Sequence, residues 1–135
     1  MKAVYQGIDL VEIGKFRELC ARHPGLVEDL FTDAERGYCR AKADPAMHLA
    51  ARFAAKEACL KALGLGLSEP GLTGAFAVIE VVRHPSGRPG LALKGWPASL
   101  AARLAITGWT VSLSHTPDYA VASVILQAAG EEQTT

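Results

Sequence analysis

The chain has 135 residues, half of them hydrophobic and 21% charged, which suits one globular domain with a core of ordinary size. Its 14 basic and 14 acidic residues cancel, which excludes the electrostatic footprint of a dedicated nucleic-acid binder and leaves little net repulsion between copies. No apolar run reaches the roughly 20 residues that cross a bilayer, Met1 to Gly7 lacks a signal-peptide core, and Cys20, Cys39 and Cys59 show no Cys-x-x-Cys spacing, so a cytoplasmic protein with reduced thiols and no membrane partner is expected.

In chain order, Ala3 to Ile8 reads as a short strand delivering the chain to Asp9. Val11 to Arg22 spaces Ile13, Phe16 and Leu19 at helical intervals, and His23-Pro24-Gly25 ends that helix. Thr32-Asp33-Ala34-Glu35 has the form of a capping box and predicts a helix to about Lys42. Ala46 to Leu63, dense in Ala, Leu and Lys, predicts a longer helix stopped by Gly64 and Gly66. The alternating Ala75 to Arg83 predicts a strand, paired through the turn at 84–89 with Leu91 to Lys94. Pro97 to Leu104 reads as a short helix, and Trp109 to Ser114 with Tyr119 to Leu126 as a second strand pair. The expected whole is one α+β domain over 1–127, a mostly antiparallel sheet against a long helix, with 128–135 a disordered tail.

On the long helix, Glu57 and Lys61 stand one turn apart beside Ala50 and Ala54, so a carboxylate and an ammonium project over a floor of small side chains. An exposed pair of this spacing is ordinarily a solvated ion pair worth about 0.3–0.5 kcal/mol. Asp9 changes the weighing: after an apolar strand it is either the N-cap of the following helix or a second hard oxygen donor. Asp9 and Glu57 together suit Mg²⁺ kept partly hydrated and shared with phosphate oxygens, and Lys61 offers a point charge to a phosphate.

Gly7-Ile8-Asp9-Leu10-Val11-Glu12, then Arg52-Phe53-Ala54-Ala55-Lys56-Glu57-Ala58 with Lys61-Ala62, then Val111-Ser112-Leu113-Ser114-His115 with Tyr119-Ala120 closely resemble the holo-acyl-carrier-protein synthases, the small bacterial class of 4′-phosphopantetheinyl transferases. The resemblance runs from about Val4 to Leu126 in order and spacing. It implies an enzyme that moves phosphopantetheine from coenzyme A to a serine of an apo acyl carrier protein, in fatty-acid or polyketide synthesis, and releases adenosine 3′,5′-bisphosphate. It implies that Asp9 and Glu57 ligate Mg²⁺, that Lys61 serves the pyrophosphate, and that Gly64 and Gly66 let backbone approach the coenzyme. Arg52 and His115 match positions tied to the coenzyme, at its 3′-phosphoadenosine end. For the serine proton, a water or hydroxide held at Asp9 stands first and Glu57 second.

Members of this class are homotrimers with active sites between subunits. Arg52 sits about 140° round the helix from Glu57, so the resemblance places Arg52 and His115 on one protomer and Asp9, Glu57 and Lys61 on its neighbour; the alternative for Arg52 is an intrachain salt bridge. Lys15, Arg17 and Arg22 fall on the helix where the family docks its acidic carrier, with Lys15 standing where an arginine is usual. His23, His48 and His84 are expected to be structural, and Trp96 and Trp109 to be core or subunit contacts. A magnesium phosphohydrolase and a non-catalytic coenzyme A-binding module are the competing readings.

Overall fold

The N-terminal strand carries the fold. In the computed structural model, which describes residues 3–65 and 74–130, β1 runs from Val4 to Glu12 and leads directly into α1 (Ile13–Arg22). The strand is therefore longer than expected and contains Asp9, which is not a helix cap; Glu12 occupies that position. α2 (Leu26–Leu30), α3 (Asp33–Arg40) and α4 (Pro45–Ala62) follow, then α5 (Ala75–Val78), the hairpin β2 (Ile79–Arg83) and β3 (Pro89–Leu93), α6 (Gly95–Arg103), β4 (Ile106–His115) and β5 (Tyr119–Ala128).

β1, β5 and β4 form a three-stranded antiparallel sheet in that order, with Gly7 opposite Val124 and Asp9 opposite Ala122. Alternation divides its faces: Gly7, Asp9, Ala120, Ala122, Val124 and Leu126 are buried against α4. β2 and β3 make a separate hairpin, tied to β4 where Trp109 Nε1 donates to the Leu91 carbonyl at 2.7 Å. Trp96 and Trp109 are 39% and 38% exposed and so are not core residues. The α+β class and the antiparallel pairing agree with the sequence expectation.

α4 lies so close to β1 that only glycine fits between them. A Cβ at Gly7 would sit 1.9 Å from the Ala58 carbonyl oxygen and 2.8 Å from the Ala62 amide nitrogen. On the helix side the contact needs Ala54, Ala55, Ala58 and Ala62, all buried. α4 ends as a Schellman turn: Gly64, at φ +84°, donates to the Lys61 carbonyl at 2.9 Å, and Leu65 donates to that of Leu60 at 2.9 Å.

The capping box at Thr32 is present, but Glu35 does more than close it. Its carboxylate also accepts from the fully buried Lys56 ammonium at 2.7 Å and from the Val81 amide at 2.8 Å. Lys56 donates again to the Phe76 carbonyl at 2.5 Å. That bond accounts for one departure from expectation, since residues 75–78 form a helical turn and only Ile79 onward is strand. Ala75 and Phe76, adjacent in sequence, are both buried, which strand alternation does not allow on a single face.

Gly7→Ala is expected to lower stability by at least about 2 kcal/mol, because the backbone of two elements must part to admit the methyl group. Gly37→Ala, inside α3 where an added Cβ meets nothing within 4 Å, is expected to raise it by about 0.5–1 kcal/mol. Urea denaturation of the two variants checks the pair, and an equal effect from both would refute the close-packing account.

Candidate active site

Asp9 points inward from β1, 7% exposed, because it lies two residues beyond Gly7 on the same face. Lys61 donates to Asp9 Oδ1 at 2.8 Å and to the Ile8 carbonyl at 3.2 Å. Among the described residues the buried Asp9 Oδ2 has no hydrogen-bond partner. The Glu57 carboxyl, one turn before Lys61, comes within hydrogen-bonding reach of Asp9. Burial, that hydrogen bond and the Asp9 charge push Glu57 up to about 9, against the opposing pull of Lys61. Asp9, Glu57 and Lys61 thus meet in one chain: the helical spacing predicts the Glu57–Lys61 pair, and the family resemblance adds Asp9.

Two facing carboxyls, one with an orphan oxygen and the other disfavoured as an anion by burial and for want of positive charge, form a donor set that fits a hard divalent cation, which would favour the ionised form of both. Among the described residues no three His, Cys, Asp or Glu side chains converge to hold a metal. Asp9 and Glu57 would offer such a cation two of its oxygens.

From Glu57 a groove of about 500 Å³ runs between β1 and α1, floored by Leu10, Phe16, Leu19 and Phe53. The expected floor of small side chains is thus only part of the picture: Phe53, one turn before Glu57, fills it with a ring that lies 5.2 Å from Phe16. Lys15 and Arg22 line the rim, paired with Glu12 at the start of their helix at 3.5 Å and with Glu18 on it at 3.7 Å. Arg17 is not brought to this groove; it sits about 200° round α1 from Lys15 and binds Asp44 through both guanidinium nitrogens, at 3.2 and 3.1 Å.

A second cluster occupies another side of α4. Arg52 is only 5% exposed, its Nε is buried without a partner, and it forms no salt bridge among the described residues. With the exposed His115 at the end of β4 it lines a pocket of about 200 Å³, together with Tyr38, His48 and Arg83. His48, expected to be structural, meets the His115 ring edge-on at 6.0 Å; burial, then the charges of Arg52 and His115, hold it below the usual imidazole range. Arg52 and His115 are therefore neighbours in one chain, apart from Asp9 and Glu57. Gly64 takes its helix-ending role, whereas Gly66 lies outside the described residues. Tyr38 and Arg83 went unnoticed in the sequence, where α3 and β2 are far apart and only the four-residue spacing of Tyr38 and Lys42 hints at a shared face.

A family model described as the 4′-phosphopantetheinyl transferase superfamily matches residues 6–124. A holo-acyl-carrier-protein synthase of Geobacter metallireducens is 49% identical, with 90% of this chain and 94% of the relative covered. One of Moorella thermoacetica is 42% identical over 94% of this chain and 96% of the relative. Among solved structures, a Chronobacterium ammoniagenes ACPS–CoA complex superposes with a TM-score of 0.82 at 36% identity, covering 95% of this chain and 99% of that one. The Helicobacter pylori synthase in complex with coenzyme A gives 0.75 at 28% identity, over 90% and 98%.

The Glu57 carboxyl links stability to pH. Its value is raised from 4.5 to about 9 on folding, so the stability it lends through its proton is complete below about pH 4.5 and lost as pH rises toward 9. In the presence of EDTA, unfolding free energy is expected to fall more steeply between about pH 5 and 9 for the parent chain than for Glu57→Gln, whose amide does not titrate. Parallel pH profiles would show that the two carboxyls do not share a proton.

Proposed function

Because the chain belongs to the holo-acyl-carrier-protein synthases of the 4′-phosphopantetheinyl transferase superfamily, we propose that it transfers 4′-phosphopantetheine from coenzyme A to a serine of an apo acyl carrier protein, with Mg²⁺, releasing adenosine 3′,5′-bisphosphate. The observation that carries this reading is the meeting of Asp9, with its orphan Oδ2, Glu57 and Lys61 at the head of an open groove. Attack of the serine oxygen on the β-phosphorus forms one P–O bond and breaks the bond to the adenosine-side phosphate, while the serine proton passes to a water at Asp9. Such a step needs alignment and charge neutralisation more than covalent help from the protein.

Asp9 and Glu57 are the residues that would hold the cation, which when bound neutralises pyrophosphate oxygens. Lys61, its side chain 41% exposed, can turn its remaining donors toward a phosphate while it keeps Asp9 in place. Phe53 and Phe16 offer an apolar wall for the uncharged pantetheine arm. Arg52 and His115 serve the adenosine end. Lys15 and Arg22, on the rim of the same groove, are the proposed docking points for an acidic carrier.

The three residues at the groove and the pair at the second pocket occupy different sides of α4, so we place one coenzyme between two protomers of a homotrimer. An unpartnered apolar face supports this assembly: Val4, Ile8 and Leu10 on β1 are 60%, 61% and 63% exposed. Among the described residues no helix is long and apolar enough to cross a membrane.

Incubation with apo carrier protein, coenzyme A and Mg²⁺ should raise the carrier's mass by about 340 Da, and Glu57→Gln should lose at least about a hundredfold in transfer. Free bisphosphate with an unmodified carrier would mean hydrolysis, and coenzyme binding alone a non-catalytic module. In the same assay, Lys15→Glu with Arg22→Glu should raise KM for the carrier and spare that for coenzyme A; equal effects on both would remove the docking assignment.

The assembly has its own test. Asp9→Ala and Arg52→Ala are each expected to be inactive alone, and mixed trimers of the two should regain activity through sites that draw intact residues from different protomers. No recovery after subunit exchange, or full activity at a monomer's solution mass, would overturn the shared site.

A further inference from the structure

Three cations from three parts of the fold converge on one aromatic ring. The Arg52 guanidinium of α4 lies 4.2 Å from the Tyr38 centroid, the Lys42 ammonium 4.5 Å, and the Arg83 guanidinium, from the end of β2, 4.8 Å. Arg83 also donates to the Tyr38 hydroxyl. None of the three cations has a carboxylate partner among the described residues. Cations of like sign this close together repel and would ordinarily disperse into solvent or find an acid. Here the electron-rich ring and its hydroxyl stand in for the acid.

Tyr38 itself is half-buried on α3. Burial alone would raise its phenol, but Lys42, Arg83 and Arg52 outweigh that and bring it below the usual range, as expected for a hydroxyl facing uncompensated positive charge. Arg52 adds a buried Nε with no partner, beside the pocket shared with His115. A gathering of three unneutralised cations, one of them nine-tenths buried, calls for a compact dianion. Coenzyme A carries one phosphate monoester, the 3′-phosphate on its ribose; its other two phosphates are a singly charged diester pair suited to the Asp9–Glu57–Lys61 end.

We propose that Tyr38 is a positioning residue that gathers Lys42, Arg52 and Arg83 into a receptor for the 3′-phosphate and thereby sets the preference for coenzyme A over its 3′-dephospho form. The inference rests on the reading of the chain as a coenzyme A-dependent transferase and adds the residue that organises the far end of the coenzyme. Holding the cations in place before the ligand arrives removes the cost of ordering three long side chains on binding. The ring meets all three cations, and the hydroxyl serves Arg83 and Lys42 besides, so Tyr38→Phe and Tyr38→Leu separate the two parts of the residue.

The test compares coenzyme A with 3′-dephospho-coenzyme A as donors for the parent chain, Tyr38→Phe and Tyr38→Leu. Tyr38→Leu is expected to raise KM for coenzyme A about tenfold, with kcat within about threefold and KM for the dephospho form nearly unchanged, so that the preference collapses. Tyr38→Phe, which keeps the ring, is expected to stay within about threefold of the parent. A purely structural role would move both donors together. If Tyr38→Leu does not fold, Arg83→Gln, an exposed site, should lower the same preference. A parent chain that prefers coenzyme A while Tyr38→Leu keeps the full preference overturns the role of Tyr38 alone. A parent chain that uses both donors equally overturns the 3′-phosphate receptor and Tyr38 with it, and a chain that uses neither overturns the transferase reading itself.

Discussion

The approach of β1 to α4 at Gly7 is the constraint on which the site depends. A strand normally stands off a helix by the thickness of its side chains, and here that spacer is absent. The next inward residue along the strand is Asp9, and the helix positions facing it, about one turn and less from Ala58, are Glu57 and Lys61. With one methyl group between the backbones, the 2.8 Å bond from Lys61 to Asp9 would open and Glu57 would be drawn away from Asp9. The glycine and the alanine face of α4 are therefore functional residues in the sense that they set a distance, although none of them touches a ligand.

α4 is unusual in placing charge on most of its sides. Arg52, Lys56 and the Glu57–Lys61 pair point to different neighbours, and each neighbourhood is solved differently. Lys56 is sunk completely and satisfied by Glu35 and the Phe76 carbonyl, in a cluster that also pins Val81 at the base of the hairpin. Removing one partner of such a pair costs far more than the pair itself contributes, which makes it a lock on geometry rather than a source of net stability. The hairpin held there ends at Arg83, one of the cations on Tyr38. The buried pair and the surface pocket are thus linked by a single short strand.

Local patterns explain what could be read from the chain. The Thr32 capping box, the helix from about residue 46, both strand pairs and the grouping of Asp9, Glu57 and Lys61 all follow from spacings shorter than a helix turn or from one recognisable three-part pattern. What escaped depended on contacts between distant segments. Glu35 was explained so well as a capping residue that its tie to Lys56, 21 residues on, left no trace. The strand expected from Ala75 had the right composition, but Lys56 takes the Phe76 carbonyl and the segment coils for one turn first. Arg17 shares a helix with Lys15 and Arg22 yet faces away, a matter of helix phase that composition hides. Tyr38 was invisible because its partners lie four, fourteen and 45 positions away.

The zero net charge of the chain conceals an opposition that bears on how the ligand would lie. Asp9 and Glu57 against Lys61 form a pole short of positive charge, whereas Lys42, Arg52 and Arg83 form one short of negative charge. A molecule with phosphates at two places, one of them shared with a cation, complements both poles at once. Within one chain the poles are separated by the body of α4, about 10 Å across with its side chains and buried for most of its length. A flexible ligand would have to wrap a helix that the sheet already covers. The proposed second protomer would remove that obstacle, because each copy could present a different side of α4 to the same ligand. The proposed sharing of one coenzyme between protomers thus follows from the feature that makes the site possible, a helix packed so tightly that its charged sides cannot meet in the chain that bears them.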